Sequence, residues 1–328
     1  MKPKLKDVAK RAGVSPATVS RVLNNRGYLS EKTRLKVDQA MADLNYIPND
    51  LARSLFKQRT KLIGFVFPST ANPFYGELIA HMENICFDLG YKVLLCNSSN
   101  QPEKEELYVS MLLRNQVDGI INGAHNQGIK EYQQAQLPVV GIDRYLSDSI
   151  PVVSSDNYQG GRLATELLVQ KGCRSIIHIN GPKELETPAN KRREAYEDVM
   201  KREGRAYKTY EIPVMAPKQK VASLIKLLFD ENPEIDGVFA SDDHLAALVL
   251  SEAKRRQIDV PGQIKIIGYD GTETMRTILP ELTTIQQPIA EIAEKAVHTL
   301  IQEIEDRYDL IDQREFVFSV KVIEGETT

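Results

Sequence analysis

From Lys61 onward the sequence alternates between short β-branched runs and longer amphipathic stretches, and this alternation restricts the fold more than any other feature. Strands are predicted at 62–67, 92–97, 119–122, 139–143, 152–155, 175–180, 237–240, 264–270 and, late, 316–323. Helices are predicted between them at 75–89, 104–114, 160–171, 191–202, 218–229, 243–256 and 290–305. Such alternation requires parallel pairing with right-handed crossovers, hence an α/β chain of doubly wound parallel sheets. The pattern also echoes itself. Val117-Asp118-Gly119-Ile120-Ile121 is answered by Ile235-Asp236-Gly237-Val238-Phe239, and Val139-Val140-Gly141-Ile142-Asp143 by Ile266-Ile267-Gly268-Tyr269-Asp270. Two similar subdomains facing each other across a cleft follow from this repeat. Ligands of such sheets bind outside the carboxyl ends of the strands. That rule gathers the carboxylates of Asp143, Asp242 and Asp270 at or near one crevice.

The first 61 residues are built differently. Ser15 is suited to cap a helix, and Pro16 fits the first helical position, where its missing N–H costs nothing. Val19, Val22 and Leu23 form an inward stripe, leaving Ala17, Ser20, Arg21 and Asn24 on the other side. Leu5–Ala12 reads as a shorter amphipathic helix, joined through Gly13-Val14, so the pair is a helix-turn-helix. Ser30 opens a third helix whose Leu35, Val37, Ala40, Met41 and Leu44 are expected to close the core. The pattern equally suits a helical hairpin that merely packs. Charge decides between them: residues 1–61 hold 14 Lys and Arg against 5 Asp and Glu, a net of +9, whereas the whole chain is −3. A basic head on an acidic body is the footprint of a chain that meets phosphates at one end only. After Pro48, Leu51, Leu55 and Phe56 fall on one side of a short helical segment, too short to hold in water without a partner. Arg53, Lys57, Arg59 and Lys61 point to DNA as that partner.

No apolar run is long enough to span a bilayer, and the Lys-rich start lacks the apolar core of a signal peptide. Cys86, Cys96 and Cys173 have no metal-ligand spacing and read as small core residues in a reducing cytoplasm. The chain contains no phosphate-binding, dinucleotide, nucleophile-elbow or H-E-x-x-H motif, and its five histidines are scattered. Paired carboxylates are compatible with a glycosidase site. A cleft of Asp, Arg and aromatic side chains serves equally to bind a sugar, with carboxylates and a guanidinium on the hydroxyls and an aromatic face on the ring. The DNA-reading head favours binding over chemistry.

The chain resembles the lactose/galactose repressor family of bacterial transcription regulators over nearly its whole length. The likeness rests on Lys6-Asp7-Val8-Ala9, Gly13-Val14-Ser15, Thr18-Val19-Ser20-Arg21-Val22-Leu23-Asn24, Leu44-Asn45-Tyr46-Ile47-Pro48-Asn49 and Ala52-Arg53-Ser54-Leu55. It continues through Thr60-Lys61-Leu62-Ile63-Gly64, Val117-Asp118-Gly119-Ile120, Ile267-Gly268-Tyr269-Asp270 and Leu282-Thr283-Thr284-Ile285. The run Asn25-Arg26-Gly27-Tyr28-Leu29-Ser30-Glu31-Lys32-Thr33 is similar to that of sucrose-operon repressors.

The resemblance implies base reading by Pro16, Ala17 and Arg21, phosphate contacts by Ser15, Thr18 and Ser20, and a minor-groove wedge at Leu55. It implies effector contacts by Phe74, Asp143, Arg192, Asp242 and Asp270. Arg192 is placed by its distance from Tyr196; Ala195 stands where the family has glycine, Arg193 is a rival, and 183–190 does not align. Three regions follow: a helix-turn-helix domain at 1–47, a hinge at 48–60 and an effector core at 61–328 of periplasmic-binding-protein type. Within that core the first subdomain is expected at about 61–157 and 288–315, and the second at about 158–287 and 316–328. The implied protein is a cytoplasmic homodimeric repressor that binds a pseudo-palindromic operator and a small sugar, with no cofactor, metal or membrane. Its rivals are a regulator whose ligand strengthens DNA binding and, in another class, a cleft enzyme or transport-type sugar-binding protein.

Overall fold

The computed structural model describes residues 3–24, 26–47, 59–126, 129–130, 132, 137–184, 187–213, 216–306 and 313–328. The chain divides into two units, residues 1–61 and 62–328.

In the first unit, α1 (Leu5–Ala12), α2 (Pro16–Leu23) and α3 (Glu31–Asp43) follow the expected order. Gly13 ends α1 with a left-handed φ of 67°, and its N–H donates back to the carbonyls of Ala9 and Lys10. Val8, Ala9, Ala12, Val19, Val37 and Ala40 are buried together, and Met41 and Leu44 pack against them. Leu35 is a correction: it stands 65% exposed. Residues two apart on a helix do not share a face, so a helix that buries Val37 turns Leu35 outward. Residues 48–58 of the expected hinge, including Leu51, Leu55 and Phe56, lie outside the described residues.

Among the described residues, the second unit holds two six-stranded sheets. The first contains β1 (Leu62–Phe67), β2 (Lys92–Asn97), β3 (Gly119–Asn122), β4 (Val139–Ile142), β5 (Val152–Ser155) and β11 (Glu315–Phe318), in the order β11-β5-β4-β3-β1-β2. All its pairings are parallel. On one face lie α4 (Pro73–Asp88) and α11 (Ile289–Ile304), and on the other α5 (Pro102–Arg114). The second sheet contains β6 (Ile176–Asn180), β7 (Lys208–Glu211), β8 (Gly237–Ala240), β9 (Lys265–Asp270), β10 (Thr283–Gln286) and β12 (Lys321–Ile323), in the order β12-β10-β9-β8-β6-β7. One face carries α6 (Asn157–Gln170) and α7 (Pro188–Arg202), the other α8 (Lys218–Glu231) and α9 (Asp243–Arg255). A short α10 (Glu273–Ile278) precedes β10. Covering both faces explains why β1 is buried almost throughout, as its unbroken apolar run requires.

The late strand 316–323 is two strands, in different sheets. Glu315–Phe318 pairs parallel with β5, whereas Lys321–Ile323 pairs antiparallel with β10. The passage between subdomains therefore falls at 319–320 rather than at 315. The chain crosses at two other places, between β5 and α6 and between β10 and α11. β7, β10 and α10 are additions to the sequence reading, being short and rich in Thr, Lys or Glu. The three cysteines are buried thiols, and burial pushes Cys86 up to about 12 and Cys96 and Cys173 to about 11.

Candidate functional sites: the recognition helix and the inter-subdomain cleft

The outer surface of α2 is prepared by its own cap. Ser15 Oγ accepts from the Thr18 N–H at 3.1 Å and lies 2.9 Å from Thr18 Oγ1. Two hydroxyls sharing one hydrogen bond keep one O–H available to an acceptor outside the helix. Pro16, Ala17 and Arg21 are exposed, with Ala17 and Arg21 one turn apart on the same side. Ser20 is half-buried, and Asn24 Nδ2 donates to its carbonyl at 2.8 Å, tying down the end of the helix. Arg11 is drawn away from this surface into an ion pair with Asp43 at 2.6 Å, which fastens α1 to α3.

Within the second unit, a cavity of ≈ 600 Å³ opens between the two sheets at the carboxyl ends of their strands. Phe74, Asp143, Arg192, Asp242 and Asp270 all line it. From the first subdomain, Asn72 caps α4 by accepting from the N–H groups of Phe74 at 2.9 Å and Tyr75 at 3.4 Å. This cap brings both rings to the wall. Phe74 is shared with the apolar core, whereas the Tyr75 hydroxyl lies 3.0 Å from His125 Nε2. Asp143 follows β4 with a φ of 53°.

The second subdomain supplies the cation. Arg192 Nε donates to Asn157 Oδ1 at 2.8 Å and Nη1 to the Ser241 carbonyl at 2.6 Å, with Asp270 Oδ1 at 3.8 Å. The guanidinium lies 3.5 Å over the Tyr269 ring. Two glycines make room for this. A Cβ on Gly161 would meet the Arg192 carbonyl at 2.4 Å, and one on Gly160 the Tyr269 hydroxyl at 2.2 Å. Arg193, the rival, pairs instead with Glu197 at 2.9 Å and Glu211 at 2.6 Å and does not line the cavity. Asp242 caps α9, accepting from Leu245 N–H at 2.7 Å.

Sequence reasoning missed the side chains that join the two halves. Asn157 Nδ2 donates to Asp143 Oδ1 at 3.3 Å while its Oδ1 holds Arg192. Ser155 Oγ donates to Gln287 Oε1 at 2.6 Å, and Gln287 Nε2 donates to Asp270 Oδ1 at 2.7 Å. Asn157 and Gln287 lie at two of the passages between subdomains, so the cleft network is wired into the connecting chain. Tyr75, His125, Asn126, Asn180 and Ser241 also line the cavity. His125, Asn180 and Ser241 stand at or just past strand carboxyl ends, so the strand-end rule would have found them. Asn157 and Gln287 had no signal in composition or spacing.

Burial sets the electrostatics. It pushes the Asp143 carboxyl up to about 6 against the opposing pull of Arg192, and raises Asp242 and, further, Asp270. Burial lowers His125 to about 4, leaving a neutral imidazole to exchange a hydrogen bond with Tyr75. Behind Asp270, the buried Asp243 accepts from Thr284 Oγ1 at 2.6 Å and Gly271 N–H at 2.9 Å. Asp243, not Asp270, therefore holds the turn at Gly271, and the Asp270 carboxylate remains at the cavity wall.

Residues 4–49 match the family described as bacterial regulatory proteins, lacI family, and residues 60–318 match periplasmic binding proteins and the sugar binding domain of the LacI family. The chain belongs to the LacI family. It is 48% identical over 328 residues to the sucrose operon repressor of Pediococcus pentosaceus, covering 100% of both chains. It is 38% identical to the ribose operon repressor of Halalkalibacterium halodurans, across 99% of this chain and 96% of that one. The crystal structure of the lac repressor dimer bound to operator and the anti-inducer ONPF matches with a TM-score of 0.84 at 26% identity, covering 100% of this chain and 99% of that one. A LacI-family chain is a DNA-binding regulator with a sugar-binding core, which removes the enzyme and transport readings of the cleft. Among the described residues, no helix is long and apolar enough to cross a membrane.

Proposed function

We propose that this protein is a cytoplasmic homodimeric repressor of a sucrose-utilisation operon, released from a pseudo-palindromic operator by a small sugar held in the cleft. The observation that carries the effector half is the single cavity in which Phe74, Asp143, Arg192, Asp242 and Asp270 converge from both subdomains. An aromatic wall suits the apolar face of a pyranose or furanose ring, while carboxylates and a guanidinium suit its hydroxyls. The full-length likeness to a sucrose operon repressor supports the choice of sugar. In the head, Arg21 reads guanine, Pro16 and Ala17 act by shape or thymine-methyl contact, and Ser15, Thr18 and Ser20 bind phosphate. Leu55 wedges into the minor groove at the operator centre. A two-fold operator calls for two heads. Exposed Leu95 on the terminal strand β2 and exposed Phe87 at the end of α4 suit burial against a second copy.

The test begins with a duplex selected from a random pool by the purified protein. Its mobility shift is followed while sucrose, fructose, glucose or ribose is added. Release by one of these sugars at constant protein supports the reading. A sugar that strengthens the shift reverses the regulatory sign, and indifference to all of them removes sucrose from the account. Leu55→Ala should reduce operator affinity and bend angle together while sugar affinity stays unchanged.

A further inference from the structure

Glu105, in the first turn of α5, is fully buried, yet it does not line the cavity. Its carboxylate accepts from Asn126 Nδ2 at 2.6 Å, Tyr132 Oη at 2.9 Å, Arg144 Nη1 at 3.2 Å and Asn122 Nδ2 at 3.4 Å. Arg144 in turn donates to the carbonyls of Ala124 and Asn126. One buried ion pair thereby grips two separate segments, the chain leaving β3 and the chain leaving β4. His125 and Asn126 sit on the first segment and Asp143 on the second, and all three line the cavity. The second segment needs such a grip. Asp143 is left-handed, and the chain folds back so tightly that a Cβ on Gly141 would meet the Arg144 carbonyl at 2.4 Å.

We propose that Glu105 is a positioning residue for effector binding, acting through Arg144 to hold His125, Asn126 and Asp143 in the arrangement a sugar meets. Replacing the whole buried pair by apolar side chains would cost the fold little, whereas removing Glu105 alone leaves the Arg144 charge buried and uncompensated. Here four donors from three separate segments converge on it, so its removal frees the part of the cleft wall that carries His125, Asn126 and Asp143. The inference rests on the proposal that the cleft binds the effector.

The test is Glu105→Gln in the full-length protein, which keeps the volume and removes the charge. Amide exchange is read by mass spectrometry, sucrose affinity by calorimetry and operator affinity by mobility shift. Exchange at 123–126 and 143–146 should accelerate while strands of the second sheet keep wild-type protection. Sucrose affinity should fall about tenfold, with sugar-free operator affinity within about twofold of wild type. The control is Glu252→Gln, another buried carboxylate paired with Arg255 and Arg256, which does not line the cavity. It should lose stability without losing sucrose. Wild-type exchange at both segments in folded Glu105→Gln, or a sucrose loss no greater than in the control, overturns the proposal. Should Glu105→Gln not fold, Glu105→Asp keeps the charge, withdraws it by one methylene and carries the same expectation. If wild-type protein ignores sucrose, the choice of sugar fails, and the exchange measurement still decides on Glu105 without any ligand.

Discussion

The recognition helix and the cleft are opposites in construction. The α2 surface is exposed, made of short side chains around one Arg, and built by local hydrogen bonds within four residues of sequence. The cleft is buried, carries carboxylates raised by that burial, and joins residues as far apart as Ser155 and Gln287. Charge works in water at the first site and against desolvation at the second. A surface that meets a polyanion gains from solvated charge that releases the counterions condensed on it. A pocket that meets a neutral polyol needs fixed hydrogen-bonding groups, and these are costly to bury.

The largest difference should appear in salt. If the head neutralises about six phosphates, operator affinity should fall roughly a thousandfold between about 50 and 200 mM salt. Sugar affinity in the same titration should stay flat. A flat operator response would deny that residues 1–61 are the electrostatic footprint.

Truncating the buried cation comes next. Arg192→Ala leaves Asn157 Oδ1 and the Ser241 carbonyl without that donor and Asp270 without its opposing charge, and should cost about 3 kcal/mol of stability in urea unfolding. Sugar binding should vanish with it. Arg21→Ala should be far milder for the fold. Unfolding should not change, while about 2 kcal/mol of base discrimination disappears at one symmetric operator position. Equal losses on operator and random DNA would reduce Arg21 to a phosphate contact.

The smallest effect is in pH. His125 is lowered to about 4 from an ordinary 6.5, so it adds stability above 6.5 that is lost as pH falls toward 4. Asp143, raised from 3.8 to about 6, acts oppositely: its stabilisation is present below 3.8 and lost as pH rises through 6. His125→Gln should therefore flatten the acid-side loss and Asp143→Asn should steepen it, read as melting temperature from pH 4 to 7.

The same contrast explains what the sequence made legible. Ser15, Pro16 and Gly13 carry their own geometry, so the head could be read residue by residue. Its one misplacement, Leu35, came from counting apolar residues without their helical phase. The doubly wound core was legible from strand–helix alternation, and the strand-end rule brought Asp143, Asp242 and Asp270 to one cavity. Arg192 came from the family resemblance instead. The positions of Asn157, Gln287, Glu105 and Arg144 depend on which chain segments meet in three dimensions, and no local pattern encodes that. The split of 316–323 between two sheets was hidden for the same reason.

Release of operator by a sugar requires the cleft and the head to be thermodynamically linked. Calorimetric titration of sucrose into the protein, alone and saturated with operator, measures that linkage. Linkage requires operator to weaken sucrose binding by the same factor by which sucrose weakens operator binding, about 5- to 150-fold. Asp270→Ala should abolish the release while retaining operator affinity, giving a protein that represses whether or not the sugar is present. Equal sucrose affinity with and without operator, in protein that binds both, would contradict the account.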